Sequence, residues 1–479
     1  MLRTRKTIAV NPKLDDKDIR QEYKPRDYRK GSFVYFFSKF IVAAVLALGL
    51  VFVISSAKKS SQSFVRKNED QSPTEHMSLN NRSIQEKLHL APLLDKDGML
   101  YHLVFSTDCS AYQHWQSYLL FYSAFRIQQT GYVTRIVSGC DDEEAERETV
   151  WHNKHIKSIF SDRFRIHMTP HFSSVSKNGQ KVGDYEYFNK PFGLRHWMEH
   201  DDLIDINRQE QDTFVILIDP DMILMRPITY DFSDDTETIV GKRASVDRKF
   251  KVSKGQPFAQ TYGFGAHWME KLDLEKIAGP DTPMKSLTKS VASVKYPVGP
   301  PYLALVRDMY DIAVKWTEFA PKVHEQYPHL LAEMFAYCAA SAHLQLPHQI
   351  IDSLMISNTD STGEGWDLID KIPDEKICFV AENPTSFALY PVPNVVHYCQ
   401  VYSFGGVNFS KRRMAEDFFS CHSQLLEKPN VTTTKDQKMM GETSLTVLKR
   451  EGFMICSIVG TLNEAGTFFK DHHCDIKAP

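Results

Sequence analysis

The sequence predicts an α/β domain in which a mainly parallel sheet is flanked by helices, preceded by a single N-terminal transmembrane helix. Three observations predict this fold class. Short apolar runs alternate with helical patterns between residues 101 and 218, a spacing typical of parallel sheets covered by helices. A 22-residue segment near the N-terminus is almost wholly apolar. The composition, with 42% hydrophobic and 24% charged residues, is that of a globular protein with a large core.

Residues 33–54 have the length and polarity of a membrane span. They are apolar except for Ser38, Lys39 and Gly49, and as a helix they would reach roughly 33 Å, enough for a bilayer core. Ten Lys or Arg residues precede the segment and only four follow it closely, which predicts a cytosolic N-terminus and a lumenal body. We expect a single-pass type II protein of the Golgi or endoplasmic reticulum membrane. A cleaved signal peptide is the alternative.

Composition divides the chain into five parts. We predict a cytosolic tail at 1–32, a signal-anchor at 33–54, a polar stem at 55–97, a folded α/β domain at 98–425 and a polar C-terminal extension at 426–479. Within the extension, the apolar stretch 452–460 has no evident partner and is too short to cross a membrane.

The elements of the α/β domain follow from hydrophobic periodicity. The predicted order is strand 102–107, helix 110–128, strand 132–137, a helix from 141, strand 164–168, helix 192–200, strand 214–218, a helical pattern over 297–346 and strand 395–403. On the first helix, large apolar residues recur every three to four positions, at Trp115, Leu119, Tyr122 and Phe125, and are expected to face the core.

Several function classes are excluded or disfavoured. A net charge of −3 gives no reason to expect nucleic-acid binding. The eight cysteines include no CxxC pair, which argues against a zinc ribbon or a thioredoxin-like site, although a lumenal body would allow disulfides. The sequence contains no GxSxG and no Walker lysine motif.

The acidic pair in FVILIDPDMILMRPI is the main candidate site. Asp219 and Asp221 directly follow a predicted buried strand, and ligands of parallel α/β sheets bind beyond the carboxyl ends of the strands. Carboxylate oxygens there suit Mn²⁺ or Mg²⁺, and Pro220 restricts the turn that aims them. An acidic turn without a ligand is the alternative reading.

Two further residues are candidates, each with an alternative. His397 lies in an apolar strand, where it is either a hydrogen-bonded core residue or a metal ligand. Glu333 lies on an otherwise apolar helix, where an acid is either paired with a base or lines a site. The residues alone leave both alternatives open.

Taken together, several blocks between about residues 101 and 421 resemble the hydroxyproline O-arabinosyltransferase and peptidyl-serine α-galactosyltransferase group of plants and algae. The blocks that carry the resemblance are HLVFSTDCSAYQHWQSYLLFYSAF, GYVTRIVSGC, Asn189-Lys190-Pro191 with Trp197, FVILIDPDMILMRPI, PVGPPYLALVRDMYDIAVKW, AEMFAYCAAS and VVHYCQVY. Two positions depart from the group's pattern: Asp219 stands where members commonly have glutamate, and Lys190 replaces an arginine.

The resemblance implies a GT-A-like glycosyltransferase domain over 98–425. By position, Asp219, Asp221 and His397 would hold Mn²⁺ or Mg²⁺, with Asp221 also assigned to catalysis. The donor, a UDP-sugar, would be bound by five residues, one of which also belongs to the metal site: Thr107, Asp108, Arg135, Lys190 and Asp219. Arg135 would meet the diphosphate or brace the nucleotide pocket. Glu333 would be catalytic, facing the sugar or the acceptor hydroxyl.

The resulting prediction is a glycosyltransferase that moves arabinose or galactose from a UDP-sugar to a hydroxyl of hydroxyproline or serine on secretory polypeptides. Its partners would be the UDP-sugar, the polypeptide acceptor and a membrane, with no nucleic acid. Two alternatives remain at this stage. One is a metal-dependent phosphoester hydrolase, and the other is a non-catalytic lumenal protein that binds UDP-sugars or glycoproteins.

Overall fold

A seven-stranded sheet forms the centre of the structure. The computed structural model describes residues 92–177, 180–206, 212–235, 249–383, 389–430 and 444–474. Its strands are β1 Leu100–Asp108, β2 Tyr132–Ser138, β3 Phe164–Thr169, β4 Ser174–Lys177, β5 Gln180–Asp184, β6 Thr213–Ile218, β7 Met222–Leu224, β8 Phe258–Thr261, β9 Val298–Leu305, β10 Gln349–Ile351, β11 Met355–Ile356, β12 Val395–His397, β13 Val401–Phe404 and β14 Val407–Ser410.

Helices cover both faces of this sheet. In the described ranges they are α1 Tyr112–Arg126, α2 Asp142–His152, α3 Ser158–Phe160, α4 Asn189–His200, α5 His267–Lys271, α6 Leu274–Ala278, α7 Lys289–Lys295, α8 Val306–Gln326, α9 Ala332–His343, α10 Trp366–Ile369, α11 Ile377–Glu382 and α12 Leu445–His473. The start of α2 is a capping box, in which Asp141 and Glu144 each accept a hydrogen bond from the other's backbone N–H.

The strand order is β10-β8-β9-β6-β1-β2-β3. Strands β6, β1, β2 and β3 run parallel, and β10 runs parallel to β8, whereas β9 is antiparallel to both of its neighbours. The sheet is therefore mixed. Alternate residues of the central strands pack into two hydrophobic cores, one on each face of the sheet. Leu103 and Phe105 of β1 belong to one core, and Val104 belongs to the other. Burial on both faces explains the unbroken apolar run FVILI.

The predicted fold class is wrong in its membrane element. Among the described residues, no helix combines the length and the apolar character needed to cross a membrane. The segment predicted to do so, 33–54, lies outside the described residues, as do the tail and most of the stem. For the residues that the structure describes, the fold class is corrected to a mixed α/β domain, with no membrane-spanning helix among them.

Two predicted elements change when the chain folds. The helical pattern over 297–346 begins with a strand, β9, because the two consecutive prolines Pro300 and Pro301 strongly disfavour a helix. The predicted strand 395–403 divides into β12 and β13. After β12 the chain turns away, and the backbone N–H of Tyr398 donates to the carbonyl of Asp221 at 3.1 Å.

Three disulfides join the described cysteines in pairs that the sequence does not reveal. Cys109–Cys140 links the ends of β1 and β2, Cys378–Cys456 links α11 to α12, and Cys421–Cys474 ties down the end of α12. Cys338 is buried and free, and Cys399 is exposed and free.

Candidate metal and donor site

The Asp219–Asp221 turn connects the central sheet to a second, smaller one. Strand β6 ends at Ile218, and β7 begins at Met222 and pairs with β12 in a three-stranded sheet. The antiparallel register sets His397 opposite Met222. Asp221 and His397 are thus neighbours, with the imidazole Nε2 3.2 Å from the carboxylate Oδ1 of Asp221.

Asp219, Asp221 and His397 form what we call the ligand cluster. One ligating atom from each residue lies within 4.8 Å of the ligating atoms of the other two. Among the described residues, this is the group of three whose metal-binding atoms lie so close together. Asp221 and His397 are buried and Asp219 is half-buried. Two carboxylates and one imidazole are a suitable donor set for Mn²⁺ or Mg²⁺, so the residues present fit the predicted ion.

Lys411, which the sequence analysis missed, completes the surroundings of Asp221. It follows β14 and places its ammonium Nζ at 2.5 Å from the second carboxylate oxygen of Asp221. Burial alone would raise the pKa of Asp221, but Lys411 and His397 hold it well below its usual value. The one sequence signal for this residue was the basic run Lys411-Arg412-Arg413, which is difficult to distinguish from a solvated surface.

Lys190 links the ligand cluster to Glu333. It lies in the first turn of α4, and its Nζ is 2.6 Å from Asp219 and 3.5 Å from Glu333. Burial disfavours the charged form of Lys190, but the two carboxylates outweigh this and raise its pKa. The structure therefore brings five of the predicted site residues into one connected group: Lys190, Asp219, Asp221, Glu333 and His397.

Glu333 is the second residue of α9 and is 2% exposed. Its backbone N–H donates to the Tyr185 hydroxyl at 3.2 Å, and its carbonyl accepts from the Trp316 indole at 2.8 Å. Burial raises the pKa of its carboxyl to about 7, with Lys190 opposing the shift. A fixed carboxyl group with such a pKa suits an acceptor of a hydrogen bond or a proton from a hydroxyl.

The other predicted donor contacts form a separate group, which we call the arginine network. Arg135 is fully buried, and its guanidinium donates to Thr107 Oγ1 at 2.9 Å and to Glu148 at 2.7 Å. It also approaches the carbonyl of Asp108 at 3.4 Å. His114 pairs with the second oxygen of Glu148 at 2.7 Å. The contacts of Arg135 are thus with protein groups, and both of its predicted roles at the donor stay predictions.

Comparison with known proteins gives sequence relatives but no family model, since no model matches the chain. A peptidyl serine α-galactosyltransferase of Arabidopsis thaliana is 23% identical over 368 residues, covering 72% of this chain and 36% of that protein. A protein of the same name from Chlamydomonas reinhardtii is 29% identical over 126 residues, covering 26% of this chain and 14% of its own length.

Among solved structures, the apo structure of the bifunctional glycosyltransferase WbbM aligns with 63% of this chain and 46% of its own. The TM-score is 0.31 and the sequence identity is 8%, so this likeness carries no argument.

The chain spans about a third of the length of the Arabidopsis relative, 36%. The matches confirm the resemblance that the sequence blocks predicted: by sequence, this chain is related to the peptidyl serine α-galactosyltransferases.

Proposed function

We propose that the chain is a metal-dependent glycosyltransferase that moves a sugar from a UDP-sugar to a hydroxyl group on a polypeptide. The observation that carries this proposal is the ligand cluster. Its two carboxylates and one imidazole converge within 4.8 Å beyond the carboxyl end of the central strand β6. The name of the sequence relatives supports galactose as the sugar and serine as the acceptor, with arabinose and hydroxyproline as the second pair to test.

Each residue of the site has a part in this reaction. Asp219, Asp221 and His397 would hold the divalent ion, which when bound neutralises the diphosphate as a leaving group. Lys190 and Lys411 supply further positive charge for the diphosphate oxygens. Transfer breaks the bond from the anomeric carbon to the diphosphate, forms the bond to the acceptor oxygen and passes the hydroxyl proton to an oxygen of the leaving diphosphate. Glu333 accepts the hydrogen bond of that hydroxyl and so orients it.

We also propose a lumenal location in the endoplasmic reticulum or Golgi. Three disulfides between residues as far apart as Cys378 and Cys456 are typical of proteins that fold in an oxidising compartment. Polypeptides that carry glycosylated serine or hydroxyproline pass through the same compartment.

A transfer assay on the full chain tests the proposal. The chain is supplied with Mn²⁺, UDP-galactose, UDP-arabinose and other UDP-sugars, and peptides that carry serine or hydroxyproline. We expect transfer of one sugar, and a loss of at least about 100-fold in Asp221→Ala, more than the removal of an outer-shell partner of a metal costs. Asp234→Ala is the matched control, because this carboxylate is 92% exposed and pairs only loosely with Lys96 at 3.4 Å.

Two results would count against the proposal. If no UDP-sugar is consumed and UDP does not bind, the transferase assignment fails. If UDP-sugars bind but no acceptor peptide is glycosylated, the non-catalytic binding protein becomes the better description.

A further inference from the structure

The C-terminal helix α12 lies against the segments that carry the metal-ligating histidine. Its apolar stretch, for which the sequence suggested no partner, is buried in the core that also holds β12 and β13. The helix approaches β13 closely at Gly452, where a Cβ atom would lie 3.1 Å from the ring of Phe404. The disulfide Cys378–Cys456 fixes the same part of the helix to α11.

Glu451 of α12 joins two separate segments through one carboxylate. One oxygen accepts a hydrogen bond from the Thr359 hydroxyl at 2.8 Å, and the other accepts from the backbone N–H of Ser403 in β13, also at 2.8 Å. Because an N–H of β13 and the loop after β11 share this acceptor, neither segment can shift without breaking a charge-assisted hydrogen bond.

Arg450 fixes the same loop from the adjacent position. Its guanidinium forms two hydrogen bonds with the Asp370 carboxylate, at 3.0 and 2.6 Å. Its remaining nitrogen donates to the carbonyls of Thr359 and Ser361 at 3.0 and 2.8 Å. The forked, planar donor group of arginine makes this arrangement more rigid than a single lysine contact would be.

Tyr402 connects strand β13, which Glu451 holds, to the ligand cluster. Tyr402, next to Ser403, is buried, and its hydroxyl lies 3.0 Å from the carbonyl of His397 and 3.1 Å from that of Ser357. The same hairpin continues through β14 to Lys411. The contacts therefore run from α12 through Glu451, Ser403 and Tyr402 to the backbone of His397.

We propose that Glu451 is a positioning residue that sets the metal affinity of the ligand cluster, by holding the β12–β13 segment in the place where His397 faces Asp221. The proposal rests on the metal site of the proposed function. Outer-shell groups that orient a metal-ligating histidine are worth about 10- to 100-fold in metal affinity. Glu451 acts one step farther out, through the backbone, so the effect belongs at the lower end of that range.

The test is Mn²⁺ binding to the full chain, measured by calorimetry or by the electron paramagnetic resonance signal of free Mn²⁺. We expect Glu451→Ala to weaken binding about tenfold. Glu451→Gln keeps an acceptor for Ser403 and should stay close to the unaltered affinity. Glu464→Ala is the matched control on the same helix: its carboxylate pairs with Arg126 at 2.8 Å, and it should leave Mn²⁺ binding unchanged.

A second variant covers the case in which Glu451→Ala does not fold. Tyr402→Phe removes only the hydroxyl that contacts His397, and we expect it to weaken Mn²⁺ binding about threefold, a fraction of the usual outer-shell effect. If the folded variants bind Mn²⁺ as the unaltered chain does, the positioning role is overturned, whatever happens to their melting temperatures. If the unaltered chain itself does not bind Mn²⁺, the metal site of the proposed function fails and the inference fails with it.

Discussion

The ligand cluster follows strand β6 and the arginine network centres on Arg135 within strand β2 of the same sheet, and these two groups of charges are built differently. In the arginine network, the guanidinium of Arg135 is bonded to Thr107 and Glu148, and the second oxygen of Glu148 is taken by His114. In the ligand cluster, oxygen and nitrogen atoms of Asp219, Asp221 and His397 point toward one another.

Under the proposed function, this difference corresponds to a structural role for the arginine network and a binding role for the ligand cluster. A buried ion pair whose donors and acceptors match has no need of a ligand, and removal of one partner leaves an unpaired charge. The ligand cluster instead brings together three atoms of the kinds that bind metals, with two lysines beside them, and in the proposed function this charge serves a cation and a diphosphate. Residues of both groups were predicted to contact the donor, and that assignment stays a prediction for both.

The largest expected effect is on the arginine network. Arg135→Met leaves Glu148 buried with only His114 as a partner, so we expect a loss of about 3–5 kcal/mol in the free energy of unfolding. Denaturant titration of the full chain measures it. The double variant Arg135→Met/Glu148→Met removes both charges and should recover most of the loss. If Arg135→Met is stable but binds UDP much more weakly, Arg135 contacts the donor and the comparison is wrong.

His102 on β1 represents a third case, a buried titratable group without a hydrogen-bond partner among the described residues. Its ring stacks against Tyr132 and packs near Trp197. Burial, assisted by the charge of Arg165, lowers its pKa from 6.5 to about 3. The unfolded chain therefore binds the proton first, and stability is lost as the pH falls from about 6.5 toward 3.

The proton linkage of His102 lowers the free energy of unfolding by about 1.4 kcal/mol for each unit that the pH falls, or by roughly 2–3 kcal/mol between pH 6 and pH 4. His102→Phe should remove this part of the acid sensitivity. Denaturant titrations at pH 6, 5 and 4 measure the difference in slope, with His200→Phe on the surface of α4 as the control. If the unaltered chain and His102→Phe lose the same free energy of unfolding as the pH falls, His102 is not neutral and unpartnered in the folded chain.

The sequence predicted those parts of the site that depend on local order along the chain. The position of Asp219 and Asp221 follows from the buried strand before them, because the carboxyl end of a central strand is where an acidic turn can meet a ligand. The alternation of strands and helices from β1 to β6 was likewise readable. His397 and Glu333 were candidates from the residues alone, but their roles required the family resemblance, since a polar residue in an apolar segment has several explanations. Lys190 was selected on the resemblance alone.

The remaining features depend on contacts between distant segments. Lys411 lies 190 positions from Asp221 in the sequence, and a basic run at that distance carries no information about its partner. The antiparallel strand β9 was not predicted because its apolar residues also suit a helix, and its adjacent prolines disfavour a central strand as well as a helix. Helix α12 appeared partnerless because the residues that cover it come from α1, α11 and β13.

Lys411 provides the smallest and most specific test of the ligand cluster. Its ammonium is partly buried and paired with Asp221, and Asp221 raises its pKa against the effect of burial. If it serves the diphosphate, Lys411→Gln should weaken UDP binding about tenfold, which corresponds to about 1.4 kcal/mol. Mn²⁺ binding should not weaken, because the substitution removes a cation that competes for the Asp221 carboxylate.

Calorimetric titrations with UDP in the presence of Mn²⁺, and with Mn²⁺ alone, separate these two effects. Lys411→Arg keeps the charge and should retain most of the UDP affinity. Lys428→Gln is the matched control, since that lysine pairs with Glu382 at the surface with 57% of its side chain exposed. Unchanged UDP affinity in Lys411→Gln would mean that Lys411 only neutralises Asp221. The ligand cluster would then resemble the arginine network more closely than the convergence of its three ligating atoms suggests.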